Sequence, residues 1–183
     1  MITICGRYYL KISIDKLLEK YGIIDGDIHF TPSGEIFPSQ EAPIIVNDGI
    51  KDIRLFKWGF SPSYTNKLII NARAETIDIK NIFKKSFQKN RCIIPTNGFF
   101  EWKKQGNKKI KHRIYLNDQK ILSLAGLYGT FPDKSGELIR SFTIITTKAN
   151  KKVKEIHDRM PAILTGNNID NWLNPEYNLD ELK

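Results

Sequence analysis

Residues 91–103 read Arg91-Cys92-Ile93-Ile94-Pro95-Thr96-Asn97-Gly98-Phe99-Phe100-Glu101-Trp102-Lys103, two apolar runs (92–94 and 98–103) parted by a Pro/Asn/Gly break. β-Branched and aromatic residues crowd both runs, the composition of strands in a packed sheet. Side chains alternate along a strand, so Glu101 shares a face with Phe99 and turns away from Phe100 and Trp102. That carboxylate either meets water on an ordinary two-faced strand or is buried among rings. Burial would disfavour its charged form, raise its pKa and fit it to carry protons near neutrality. Trp102 is similarly double: a core residue, or a platform on which a base stacks.

Outward from this stretch the strand pattern continues at residues 110–116, 121–127 and 140–147, and before it at 4–10, 44–46 and 53–60. Helices are fewer. Ser13 reads as the N-cap of a helix with Ile14, Leu17, Leu18 and Tyr21 on one face and Gly22 as its stop. Further helices are expected at 81–88, where Ile82, Phe83, Ser86 and Phe87 have helical spacing, and at 150–156 and 169–173. Residues 31–43, with Pro32, Gly34, Pro38 and Pro43, read as a loop. The expectation is one α+β domain over residues 1–183, built on a strongly bent, barrel-like mixed or antiparallel sheet with peripheral helices.

Composition narrows the function. The chain has 183 residues, 40% of them hydrophobic and 27% charged, which fits a globular domain. Its apolar runs fall far short of the roughly 18 residues that span a bilayer, and no secretory leader pattern opens it. The two cysteines, Cys5 and Cys92, cannot supply a disulfide framework or a four-ligand zinc site. No phosphate-loop, dinucleotide, HExxH or CxxC pattern appears, so neither cofactor nor metal is expected. A cytoplasmic, nucleoid-associated monomer without membrane contact is the expectation. The net charge of +9 points toward a polyanion, although a lysine-rich bias arises without functional demand. The seven arginines are more selective, since a planar fork suits phosphate. Arg7, Arg73, Arg91 and Arg159 all lie in unusual segments.

Three more segments carry possible chemistry. In Cys5-Gly6-Arg7-Tyr8, Cys5 is either a small buried hydrophobe or a nucleophile whose thiolate a cation such as Arg7 favours. Cys92, in an apolar strand, reads as core. Asn71-Ala72-Arg73-Ala74-Glu75-Thr76 is either a solvated turn opening a helix or an extended floor with Asn71, Arg73 and Glu75 on one face. In His157-Asp158-Arg159-Met160-Pro161, His157 and Arg159 project to one side if the turn is extended, pairing a proton carrier with an anion grip; a purely structural histidine is the alternative. His29 and His112 lack comparable neighbours and read as surface.

Taken in order, Cys5-Gly6-Arg7-Tyr8, Pro38-Ser39-Gln40, Trp58-Gly59, residues 71–76, Arg91 to Pro95, Gly98 to Trp102 and His157 to Pro161 resemble the SOS-response-associated peptidase (SRAP) family, from Cys5 to about Trp172. The resemblance implies a sensor and shield of abasic sites in single-stranded DNA, acting in repair and the damage response. It implies a cysteine at the mature N-terminus whose amine and thiol capture the ring-opened sugar as a thiazolidine crosslink. By position, Cys5 is then the nucleophile, Asn71 orients it and the sugar, Glu101 shuttles protons, and His157 assists ring opening and reversal. Arg7, Arg73 and Arg159 would hold phosphates, Pro38, Trp58 and Trp102 would pack on bases or wedge the strand, and Thr146 would contact a phosphate.

One departure stands out: Met1-Ile2-Thr3-Ile4 precede Cys5, whereas the family pattern has cysteine directly after the initiator methionine. A cysteine with a peptide bond on its nitrogen cannot close a thiazolidine. Either translation starts elsewhere or the four residues are removed by self-processing. The same residues also suit an N-terminal-nucleophile cysteine peptidase, and the charge alone suits a non-covalent single-stranded DNA-binding module.

Overall fold

The computed structural model describes residues 5–26, 28–31, 34–117, 121–133 and 135–182. The tetrapeptide ahead of Cys5, and Pro32 of the expected 31–43 loop, lie outside the described residues. The strands, in chain order, are β1 (Tyr8–Leu10), β2 (Gly34–Ile36), β3 (Glu41–Asn47), β4 (Lys51–Trp58), β5 (Asn71–Arg73), β6 (Arg91–Thr96), β7 (Gly98–Gln105), β8 (Lys108–Ile114), β9 (Leu122–Pro132), β10 (Leu138–Lys148), β11 (Arg159–Pro161) and β12 (Ile163–Leu164). Five of them close a barrel: β10-β4-β3-β6-β9, with β9 pairing back onto β10. The β10–β4 step is parallel and the rest of the ring is antiparallel. A second, antiparallel sheet has the order β2-β1-β7-β8. The bent mixed sheet read from the sequence is the architecture found.

Alternation along the barrel strands builds two cores. Ile44, Trp58, Cys92, Ile94, Leu124, Phe142 and Ile144 pack with Tyr8, Leu10 and Phe99 of the second sheet. The intervening Ile45, Ile53, Ile93, Leu127 and Ile145 are covered by α1 (Ile14–Tyr21), α2 (Asn81–Lys89) and α4 (Asn168–Leu173). Helix α1 is bounded as its sequence demands, by the Ser13 hydroxyl accepting from the Lys16 amide and by Gly22 at φ 65°. The short α3 (Lys151–Lys154) takes its cap from Asn150, whose Oδ1 accepts from the Val153 amide at 3.0 Å.

Two expectations need correction. Residues 31–43 are not all loop, because β2 forms at 34–36 and β3 runs through Pro43. Strand β3 meets β6 only at Ile45, which leaves one flank open at Pro43, the setting in which a strand tolerates proline. The strand expected at 121–127 extends to Pro132, because β10 supplies partners as far as Leu138. Local apolar alternation stops short of that; pairing carries it on.

Arg91, one of the four arginines in unusual segments, is an internal tie. Its guanidinium is buried and donates to carbonyls where two helices end: Phe87 at 2.8 Å and Gln88 at 3.2 Å in α2, Trp172 at 2.7 Å in α4, and Asn174 just beyond at 2.6 Å. The Phe87, Gln88 and Trp172 carbonyls, which no backbone amide reaches, are satisfied by one fork that also meets the Asn174 carbonyl and suits the negative ends of both helices. Arg91→Met, keeping the aliphatic volume, should therefore cost about 3 kcal/mol of unfolding free energy by urea titration, from stranded buried acceptors. A loss near zero would contradict this role.

Candidate functional site

The site is built where the end of the second sheet meets the barrel. Cys5 lies three residues ahead of the first residue of β1, and β1 pairs with β7, so the Phe100 amide bonds the Arg7 carbonyl at 2.9 Å. That register brings Glu101 against Cys5: the Cys5 amide donates to Glu101 Oε1 at 2.6 Å, both residues being buried. Of the two readings of Glu101, burial is the one found, and it pushes the carboxyl pKa up. The Cys5 amide and the nearby His157 charge pull it back, and Asp158 adds to the rise. Cys5 itself adopts φ 44°, the left-handed region that disfavours any residue but glycine.

Burial, with the adjacent Glu101 carboxylate, raises the Cys5 thiol well above its usual range. The expected help from Arg7 fails for a plain reason. The Arg7 guanidinium faces away, bonding Glu35 at 2.9 Å and lying over Phe37 at 4.2 Å and Trp102 at 5.5 Å; only its backbone favours the thiolate. The resting sulfur is a thiol, and a proton acceptor must activate it.

The barrel contributes the other wall. Strand β10 is flanked by β5, pairing Thr146 with Arg73, and by β11, pairing Thr146 with Pro161. Asn71, Arg73, Thr146 and Arg159 thus sit on three neighbouring strands, with His157 in the turn before β11. Residues 71–73 are extended, and a single 3-10 turn, Ala74–Thr76, swings Glu75 toward Arg159. The two form a bidentate pair at 2.5 and 2.9 Å, and Arg159 also donates to the Thr146 carbonyl at 2.6 Å. Arg159 holds the Glu75 carboxyl down at about 2. His157 accepts the Arg159 amide on Nδ1 at 3.0 Å, while Asp158 Oδ1 lies 2.9 Å from the same nitrogen. One nitrogen cannot serve both: the neutral ring accepts from Arg159 and the protonated ring donates to Asp158.

Several expected DNA contacts are placed otherwise. Trp58 is completely buried, its indole N–H donating to the Ile70 carbonyl at 3.0 Å and its rings packed on Tyr8 and Phe142, so it cannot stack on a base. Thr146 is also buried; its hydroxyl lies 3.3 Å from an Arg159 nitrogen, which makes it a prop for Arg159 rather than a phosphate contact. Arg159 keeps 8% exposure, so gripping a phosphate requires Glu75 to release it. Arg73 is exposed, and Trp102 and Pro38 are half-exposed, Pro38 in the turn beside Arg7. Cys92 is core, as read.

Two residues escaped the sequence reading. Phe37, exposed beside Pro38, forms the shelf under Arg7, and only tertiary placement marks it. His112, read as surface, pairs directly opposite Glu101 on β8, and its Nε2 is shielded without a hydrogen-bond partner among the described residues. His29 is exposed. A cleft of about 810 Å³ lined by Pro62, Tyr64, Lys80, Asn81, Lys85 and Phe131 contains none of the site residues. Among the described residues no group of His, Cys, Asp and Glu could hold a metal, and no helix is long and apolar enough to cross a membrane.

The family model for SOS response associated peptidases (SRAP) matches residues 4–183. The chain belongs to the SRAP family. It is 39% identical to the abasic site processing protein YoqW of Bacillus subtilis (strain 168), over 94% of this chain and 81% of that one. It is 29% identical to the abasic site processing protein HMCES of Xenopus tropicalis, over 81% of this chain and 56% of that longer one. The crystal structure of a protein from Bacteroides thetaiotaomicron superposes with a TM-score of 0.86 at 31% identity, over 97% of this chain and 84% of that one.

Because folding favours the neutral Glu101 acid, the stability it contributes is complete below the ordinary carboxylate value of 4.5 and is lost as pH rises through the raised value. Glu101→Gln keeps the shape and the acceptor for Cys5 but carries no charge. Its Tm should exceed that of the unaltered protein at pH 8 and converge with it below pH 4. A lower Tm at pH 8 would mean that the buried charge is stabilising.

Proposed function

We propose that this SRAP chain captures abasic sites in single-stranded DNA by a covalent link through Cys5. The observation that carries the reading is the 2.6 Å bond from the Cys5 nitrogen to the buried Glu101 carboxylate. A group able to take and return a proton is held at the atom that becomes the attacking amine once the residues ahead of Cys5 are gone. That the relatives YoqW and HMCES are named abasic site processing proteins supports the same choice of substrate.

The chemistry balances without a redox partner. The free Cys5 amine attacks the aldehyde carbon of the ring-opened deoxyribose, and the carbinolamine loses water to form an imine. Cys5 Sγ, giving its proton to Glu101, adds to the imine carbon, and the nitrogen takes a proton to complete a thiazolidine. The second attack is intramolecular, so its effective molarity is high. His157 Nε2 serves the sugar ring opening and the reverse reaction. Asn71 orients sugar and cysteine, and the half-exposed Arg7 and the exposed Arg73 hold phosphates while Trp102 packs on a base.

A second activity is favoured by one further observation, the left-handed Cys5 backbone. Conformations of that kind cost on the order of 1–3 kcal/mol, and here the strain adjoins the bond that must break. Attack of Cys5 Sγ on the preceding carbonyl gives a thioester and frees the amine; water then hydrolyses the thioester and releases the tetrapeptide. Self-processing and crosslinking thus use one sulfur and one carboxylate in sequence, which reconciles the peptidase of the family name with an abasic substrate.

Incubated with a single-stranded oligonucleotide bearing one abasic site, the mature protein should give a band that survives denaturing electrophoresis. Cys5→Ala should abolish it, and Glu101→Gln should slow its formation by roughly 10²-fold or more, the usual scale for losing a positioned proton carrier. Bands of equal intensity from the Cys5→Ala and unaltered proteins would sink the reading.

A further inference from the structure

The hairpin β7–β8 carries a feature that the Cys5 chemistry does not use. Residues 103–113 contain Lys103, Lys104, Lys108, Lys109, Lys111 and Arg113 and no acid. The register makes the arrangement specific: Phe100 faces Arg113, Trp102 faces Lys111 and Lys104 faces Lys109, all on the side of the sheet turned away from Glu101. Tyr9 of β1 and Arg7 just before it fall on the same side, because Tyr8 pairs with Phe99 on the core side.

Cations and rings are interleaved across this face. Lys111 Nζ lies 4.1 Å from the Phe100 ring centre, the Arg113 guanidinium 3.9 Å from that of Tyr9, and Arg7 5.5 Å from that of Trp102. Glu35 is the one acid on the face among the described residues, and Arg7 and Lys111 already engage it at 2.9 and 2.6 Å. The facing pair Lys104 and Lys109 is a like-charge cross-strand contact, which costs stability in the free protein. A bound polyanion would convert that cost into attraction.

We infer that the outer face of β1-β2-β7-β8 is a second nucleic-acid surface, on which a single strand continues away from the Cys5 site with its phosphates on Lys104, Lys109, Lys111 and Arg113 and its bases against the half-exposed Tyr9 and Trp102. A flat sheet face with cations over aromatic rings fits a strand whose bases are splayed open, since stacking and phosphate contacts tolerate any sequence. The surface is continuous with Arg7 and Trp102, so the inference rests on the single-stranded DNA reading for the path of the strand. It does not rest on the covalent step.

The test uses the full chain and a fluorescent, intact 20-nucleotide single strand with no abasic site, with affinity followed by anisotropy from 50 to 300 mM salt. The triple variant Lys104→Gln/Lys109→Gln/Arg113→Gln should bind at least about tenfold more weakly at low salt, and the slope of log affinity against log salt should fall by about 2, near 0.7 for each lost phosphate contact. Lys84→Gln/Lys89→Gln on α2, removing charge from the far side, should leave the slope unchanged. Equal affinity and slope for the triple variant would overturn the proposal and leave these lysines as guards of the exposed β8 edge. A slope reduced equally by the α2 variant would also overturn it, since net charge alone would then account for the effect. Intact DNA forms no crosslink, so failure of the covalent reading leaves this result standing, and the reverse holds too.

Discussion

A single buried hydrogen bond, from the Cys5 nitrogen to the Glu101 carboxylate, is the contact around which this molecule is arranged. A carboxylate is expensive to bury, and the fold accepts that expense because β1 lies beside β7 in a register that leaves no other place for Glu101. The consequences follow from electrostatics. Buried beside each other, acid and thiol both favour their neutral forms, and each then needs the other to pass a proton.

Around that contact the molecule separates support from reactivity. Arg159 of β11, Thr146 of β10 and Glu75 in the turn after β5 form a bonded brace that fixes the turn carrying His157. Arg91 braces α2 and α4 on the opposite side of the barrel wall. Of the four arginines singled out by sequence, two therefore act mainly as internal ties, Arg7 is half-buried and paired with Glu35, and Arg73 is exposed. A guanidinium serves both ends, because five fixed donors satisfy clustered carbonyls as readily as phosphate oxygens.

How much was legible beforehand depended on how local each signal was. Helix α1 was readable to its caps, since Ser13 and Gly22 act within one turn. The barrel strands were readable from β-branched runs, but the length of β9 was not, because its second half is held by β10 rather than by its own pattern. Glu101 stood out as a carboxylate on an aromatic strand, while its burial was open until β1 was set beside it. Trp58 and Thr146 resembled contact residues in sequence and proved to be interior, because a tryptophan in a strand carries no mark of which face it takes. His112 was invisible for the converse reason: only the β7–β8 register sets it opposite Glu101.

The central contact can be measured directly by following the Glu101 side-chain carbon in an NMR pH titration, once in the full chain and once in a chain whose first residue is Cys5. Freeing the nitrogen places an ammonium where an amide stood, and a cation at that distance must pull the carboxyl toward its charged form. The account predicts a clearly lower Glu101 midpoint in the chain that starts at Cys5. Identical midpoints in the two proteins would mean that the nitrogen and the carboxylate are not in contact, and the proposed chemistry would lose its base.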